Sequence, residues 1–328
     1  VLIFSRKEVE HLLDLDKLVD ALAAAMVELS AGRVSMPPRI AAIVPERGGV
    51  LASMPVYLPS LGTLATKLVS VFPSNVARGL ESHQALITVF DATTGIALAA
   101  MDGSYITAMR TAAGSALATR LLARADADVL TIIGTGVQAR AHARAIPRVR
   151  RVKEIRVAGR SREKAESLAR EISAQLQVPA RDFASVDEAV RGAGIVCATT
   201  HSAEPVVRGV WLEPGMHVNS VGFNIAGREV DGEAMAKSRV VVESRAVALA
   251  PPPVGANELA WAIRDGHIAA GHIHAEVGEL VSGMRPGRSS AEEITLYKSV
   301  GVAVQDAAAA QLVLAAAAKQ GVGSEIEI

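Results

Sequence analysis

The sequence predicts an α/β chain, in which a doubly wound parallel-sheet domain is combined with a mixed α+β domain. Three observations predict it. From Asp128 onward, short apolar runs alternate with helical patterns, the rhythm of a helix-covered parallel sheet. A glycine-rich turn, Gly134-Thr-Gly136-Val-Gln-Ala139, joins the first of those runs to a helix. The first hundred residues read differently, as a helix followed by a largely antiparallel set of strands, and the chain ends in a lone Ala-rich helix.

In chain order, Ser5-x-x-Glu8 fits a capping box, and Leu15, Leu18, Leu22, Met26 and Leu29 recur at helical spacing until Gly32 stops them. Residues 39–44, 50–56 and 63–71 read as strands. Residues 86–90 and 96–101 flank Asp91-Ala-Thr-Thr-Gly95, a hairpin turn. Residues 104–123 form a helix with small side chains on most faces. Strands follow at 129–133, 154–158, 195–199, 216–221 and 240–243, with helices at 161–176 and 186–191. After Pro251-Pro252-Pro253 the pattern is poor until 294–297, and 302–319 is the final helix.

Composition narrows the function classes. Of 328 residues, 50% are hydrophobic and 21% charged, which supplies a core and excludes a disordered chain. Lys+Arg and Asp+Glu both number 34, without the basic excess usual in duplex-binding proteins, so nucleic acid is not an expected partner. Aromatics, at 3%, are too few for base-stacking platforms. The single Cys197 cannot make an intrachain disulfide, which points to a reducing, cytoplasmic compartment. No apolar run reaches the ~18 residues of a membrane helix, and the apolar stretch 1–4 is too short for a signal peptide, so no membrane association is expected.

The glycine turn matches Gly-x-Gly-x-x-Gly/Ala between a strand and a helix, the dinucleotide-binding pattern of a Rossmann-type domain. Gly134 permits the tight turn, Gly136 lets backbone approach a pyrophosphate, and Ala139 lets helix and strand pack closely. The N–H groups at the helix start, at Val137 and Gln138, face the phosphates. The bland alternative is a plain tight turn. An NAD site usually carries an acid after the second strand, ~20 residues on. Here the strand ends Gly159-Arg160-Ser161-Arg162, and two guanidinium groups with a hydroxyl suit a 2′-phosphate. NADP(H) is therefore the expected cofactor, with NAD(H) as the second choice. The alternative is a solvated basic turn.

The stretch Ala100-Met-Asp-Gly-Ser-Tyr-Ile-Thr-Ala-Met-Arg110-Thr-Ala-Ala precedes this domain. Other blocks are Pro38-Arg39, Thr66-Lys67-Leu-Val, Ser82-His83-Gln84, Val221-Gly-Phe-Asn224, His274-Ala-Glu276-Val-Gly-Glu279 and Lys298-Ser299-Val-Gly301. In these the chain resembles the ornithine cyclodeaminase/mu-crystallin family over nearly its whole length. The resemblance implies a substrate-binding and dimerisation domain from 1–114 and 300–328, a cofactor domain from 115–299, and a homodimer. It also implies that Arg39, Lys67 and Arg110 converge to hold a substrate carboxylate. It sets Thr200, Val221 and Ser299 along the cofactor, His83 and Arg110 near it, Glu276 in the pocket, and Asn224 near the substrate nitrogen.

The residues bear these roles unequally. Lys67 interrupts an apolar strand pattern, where an unpaired ammonium is costly, so a site role follows from the sequence itself. Arg110 lies in a small, apolar helix and needs a partner, for which a structural salt bridge suffices. Arg39 also reads as a surface arginine, His83 as a hydrogen-bonded structural histidine, and Glu276 as a cap or surface carboxylate. Thr200, Val221 and Ser299 are small residues common at strand ends. His272, His274 and Glu276 alternate as metal ligands on a strand would, but no fourth ligand is evident and no metal is expected.

The expected activity is NAD(P)H-dependent reduction of the C=N bond of a ketimine or imino acid to an amino acid. Arg160-Ser161-Arg162, Lys298 and Ser82-His83-Gln84 are closer to mu-crystallin than to the cyclodeaminases. Alanine dehydrogenase or ornithine cyclodeaminase activity is the near rival. A non-catalytic, NADPH- and small-ligand-binding protein is the rival of another class.

Overall fold

The computed structural model describes residues 1–224, 226–251 and 254–327. The chain divides into two units, Val1–Arg110 with Val302–Ile328, and Thr111–Gly301. The division falls inside the helix Gly103–Leu122.

The first unit is built on a seven-stranded sheet. Its strands are β1 (Leu2–Phe4), β2 (Ile40–Val44), β3 (Gly49–Leu58), β4 (Thr63–Val71), β5 (His83–Asp91) and β6 (Ala97–Asp102). A final strand, Ser324–Glu325, becomes β15 because eight others intervene. The order is β15-β1-β6-β5-β4-β3-β2. From β2 to β6 each neighbour is antiparallel, as the hairpin signals predict. The expected turn forms: Asp91 Oδ1 accepts from the N–H groups of Thr93 and Thr94, and Gly95 takes φ +74°. The Ser5–Glu8 capping box also forms and starts the helix Arg6–Leu12.

Alternation in the strands gives the sheet two unlike faces. Ala52, Met54, Val56, Ala65, Lys67, Ile87 and Val89 are buried, and helices Leu15–Ser30 and Ala303–Gln320 pack in this unit. The other face carries Leu51, Tyr57 and Leu86, all exposed. Every residue of the edge strand β2 is exposed, and Ile40 and Ile43 are each 70% accessible.

The second unit holds eight strands: β7 (Val129–Ile133), β8 (Glu154–Ala158), β9 (Ala180–Asp182), β10 (Ile195–Ala198), β11 (His217–Ser220), β12 (Ser238–Val242), β13 (Ile273–Glu276) and β14 (Ile294–Lys298). Their order is β13-β12-β14-β11-β10-β7-β8-β9, and every pairing is parallel. The order reverses about β7, the doubly wound topology expected from the alternation of strands and helices. A continuous apolar core, including Ile133, Val196, Val218, Val240 and Leu296, lines the sheet. Sequence periodicity misses β9 and β13, each four residues or fewer, and the helix Asn257–Arg264, which follows the three prolines.

Candidate active site

In the first unit Lys67 sits mid-strand on β4, opposite Met54 of β3 and Ile87 of β5, and is 3% exposed. Its inward face meets the N-terminal part of the helix Ala303–Gln320. Lys67 Nζ lies 2.8 Å from Asp306 Oδ2, and Arg110 Nε lies 3.2 Å from Asp306 Oδ1. Arg110 Nη1 donates to Gln305 Oε1 at 2.8 Å, and the same oxygen accepts from Val302 N at 3.1 Å. The Asp306 carboxylate is thus held between two buried cations, and Gln305 Nε2 is a buried donor short of a hydrogen-bond partner. Two buried cations on one carboxylate leave a net positive charge, which makes the cluster a candidate anion site.

Burial pushes the Lys67 ammonium down to about 8. Arg110 and Arg39 add to that effect, and Asp306 opposes it. Lys67, Arg110 and Arg39 are thus within electrostatic reach of one another. Arg39 is half-buried, immediately before β2. His83 opens β5, its Nδ1 3.1 Å from Ser82 Oγ. Gln305 and Asp306 escape the sequence reading, although a Gln-Asp pair inside an Ala-rich helix is the same signal that singles out Arg110.

In the second unit Gly134 has φ +119°, and a Cβ there would meet Thr199 Oγ1 at 2.7 Å. Only glycine fits that turn. Gly136 caps the helix Val137–Ala145, and a Cβ on it would meet nothing within 4 Å. Val137 is exposed, Gln138 Oε1 is buried without a partner, and Ala139 is fully buried. Open space before a helix N-terminus, whose first N–H groups have no side-chain cap, fits a dinucleotide pyrophosphate.

The turn after β8 presents an exposed Arg160. Ser161 caps the helix Arg162–Leu176 by accepting from Lys164 N, and Arg162 Nε pairs with Asp182 Oδ2 at 3.2 Å. Two buried carboxylates organise the loops at the C-terminal ends of the central strands. Glu229 accepts from Thr200 N, Thr200 Oγ1, Ser220 Oγ and Gly222 N. Glu243 accepts from Tyr297 Oη, Ser299 Oγ, Val300 N and Gly301 N. The hydroxyls of Thr200 and Ser299 thus turn toward carboxylates, and Val221 N donates to Ala198 O. Buried Lys298 Nζ donates to Gly222 O at 2.9 Å and lies 3.2 Å from Glu258. Burial pushes the Glu229 carboxyl up, while Lys298 and the Thr200 donors pull it back.

Asn224 ties its loop to the one after β10, donating from Nδ2 to His201 O and accepting from Ala226 N at Oδ1. Glu276 ends the edge strand β13, accepts from Arg245 N and takes part in a capping box with Glu279. The ends of β13 and β11 are three strands apart, roughly 14 Å at ordinary strand spacing. His272 Nε2 faces the carbonyls of Met235 and Ser238, and His274 lies against Arg239. Among the described residues no group of three or more His, Cys, Asp or Glu side chains could hold a metal ion.

The sequence model of the ornithine cyclodeaminase/mu-crystallin family matches residues 1–321. Ketimine reductase mu-crystallin of Mus musculus is 38% identical over 314 residues, covering 94% of this chain and 95% of that protein. The structure of Thermococcus litoralis Delta(1)-pyrroline-2-carboxylate reductase, in complex with NADH and L-proline, superposes with a TM-score of 0.96 at 38% identity. That match covers 99% of this chain and 100% of the other. An archaeal alanine dehydrogenase dimer with bound NAD superposes with a TM-score of 0.92 at 32% identity, covering 100% and 99%.

Proposed function

The chain belongs to the ornithine cyclodeaminase/mu-crystallin family, and on that footing we propose that it is an NAD(P)H-dependent reductase of the C=N bond of carboxylated imines. The observation that carries this reading is the buried approach of Lys67 and Arg110 to a single carboxylate in the first unit. Two cations held by one anion leave positive charge for an anionic ligand, and Arg39 adds to it. A carboxylate bound there has its neighbouring carbon fixed in place, which lowers the entropic part of the barrier. The reduced nicotinamide supplies the hydride. Asn224 offers a neutral amide, suited to a hydrogen bond with an imine nitrogen but unable to take up a proton at neutral pH.

The cofactor stands on the Gly134–Gln138 loop, and NADPH is favoured over NADH by Arg160, with Ser161 and Arg162 beside it. The two solved structures named above hold NADH and NAD, so NAD(H) remains the second choice here. The protein is a homodimer whose interface includes β2 and the face bearing Leu51 and Leu86. The apolar, exposed edge supports this, as does the dimeric alanine dehydrogenase. A monomer in a solution size measurement contradicts it. The buried free thiol of Cys197 agrees with a cytoplasmic setting, and no helix among the described residues is long and apolar enough to cross a membrane.

The test compares a cyclic ketimine bearing a carboxylate with the same ring lacking it, using Lys67→Ala beside the unmodified protein. The carboxylated ring is expected to be reduced, and the bare ring to react poorly. Lys67→Ala should cut kcat/KM at least ~10²-fold, the loss of a charge-assisted contact. Near-normal turnover in that variant removes Lys67 from the site.

A further inference from the structure

We propose that Asp306 is a positioning residue of the carboxylate clamp, holding the Lys67 ammonium and the Arg110 guanidinium in place and keeping Lys67 charged in the free enzyme. This rests on the reading of Lys67 and Arg110 as ligands of the substrate carboxylate.

Asp306 is 2% exposed and is the single acid in the helix Ala303–Gln320. Its neighbours in that helix are mostly alanines, whose small side chains let the backbone come close to β4 and bring a short carboxylate within ion-pair reach of a mid-strand lysine. The two oxygens serve different partners, Oδ2 facing Lys67 and Oδ1 facing Arg110. Gln305 holds Arg110 from a second side at Nη1. With Nε on Asp306 and Nη1 on Gln305, Nη2 is the remaining guanidinium nitrogen for an incoming carboxylate. The charged groups acting on Lys67 are Asp306 from the last helix, Arg110 from the helix Gly103–Leu122, and Arg39 before β2. Asp306 alone among these favours the ammonium. Without it, two buried cations would face each other uncompensated. Lysine is the group that can relieve this, by losing its proton.

The consequence has a definite sign. Burial already holds Lys67 near 8. Removing the anion lowers it further, so Lys67 turns neutral within the working pH range and carboxylate affinity falls. Acid restores the proton and with it the affinity.

The experiment measures kcat and KM for one carboxylated cyclic imine from pH 6 to 9, in the unmodified protein, Asp306→Asn and Asp306→Glu. Ionisation of the substrate is common to all three and cancels in the comparison. Asp306→Asn is expected to lose at least ~10-fold in kcat/KM at pH 8, chiefly through KM. Its alkaline limb should move to lower pH, with recovery toward the unmodified value at pH 6, while NAD(P)H affinity stays unchanged. Asp306→Glu keeps the charge and should leave the limb where it is. A loss in Asp306→Asn that is equal at every pH overturns the proposal, as does an unchanged KM. If Asp306→Asn does not fold, a limb displaced to lower pH in Asp306→Glu overturns it. Failure of the unmodified protein to reduce any carboxylated imine sinks the proposed function instead, and is distinguishable because it needs no variant.

Discussion

In the proposed function, Asn224 is the residue that separates imine reduction from cyclodeamination. A carboxylate at this place could pair with a substrate ammonium and carry a proton, but an amide does neither. Its Nδ2 donates to His201 O in the loop after β10 and its Oδ1 accepts from Ala226 N, which orients the side chain and leaves one N–H and one lone pair over. The protein should therefore not convert L-ornithine to proline at a useful rate. Incubation with ornithine and catalytic NAD(P)+, assayed for ammonia and proline, checks this; robust proline formation would place cyclodeamination first. Legibility at this scale follows charge in apolar surroundings. Lys67 in an alternating strand and Arg110 in a small-residue helix stand out in the sequence because each needs a partner. Asp306 meets the same criterion and is overlooked only because its helix reads as a structural tail. Glu229 and Glu243 give no such signal. Each lies in a mixed polar context, and burial is created by loops brought together from β10, β11, β12 and β14.

At the scale of elements, the proposed cofactor preference rests on the turn after β8. The strand delivers Arg160 into solvent, and the following helix begins at Arg162 with Ser161 as its cap. Asp182, at the end of the neighbouring β9, holds Arg162 in a surface pair, whereas Arg160 has no such partner among the described residues. Arg160→Asp should shift the ratio of kcat/KM for NADPH over NADH toward NADH by about tenfold or more, since a 2′-phosphate would meet an anion rather than a cation. Equal ratios in the two proteins mean that the turn is only solvated. Strong periodicity makes the long elements legible, among them β4, β7 and β8 and the helices at either end. The elements that escape are short or follow proline, where three or four residues cannot establish a period.

The whole molecule carries an acid-sensitive core. His142 bonds to Gln138 O and Ser115 Oγ, and His217 to Thr295 Oγ1 and Asn219 Oδ1, all inside the second unit. Burial pushes His142 down to about 4 and His217 down to about 3, with Arg288 adding to the second. Both are neutral when folded, whereas the unfolded chain takes up protons near the ordinary histidine value of about 6.5. Their contribution is therefore complete above that pH and is lost as pH falls toward the folded values, about 3 kcal/mol per histidine by pH 4. Tm should fall steadily from pH 7 to pH 4, and less steeply in His217→Gln. Identical slopes in the two proteins would remove His217 from the account. The two-part architecture is legible from the change of rhythm at Asp128.

The central claim is that the substrate arrives as a preformed, carboxylated C=N compound. The most direct measurement is NADPH oxidation by the purified protein with a carboxylated cyclic ketimine, beside pyruvate plus ammonia at matched concentration. The account predicts rapid oxidation with the ketimine and little with the keto acid and ammonia. Oxidation driven by pyruvate and ammonia, with the cyclic ketimine inert, would contradict it and make the protein an amino-acid dehydrogenase.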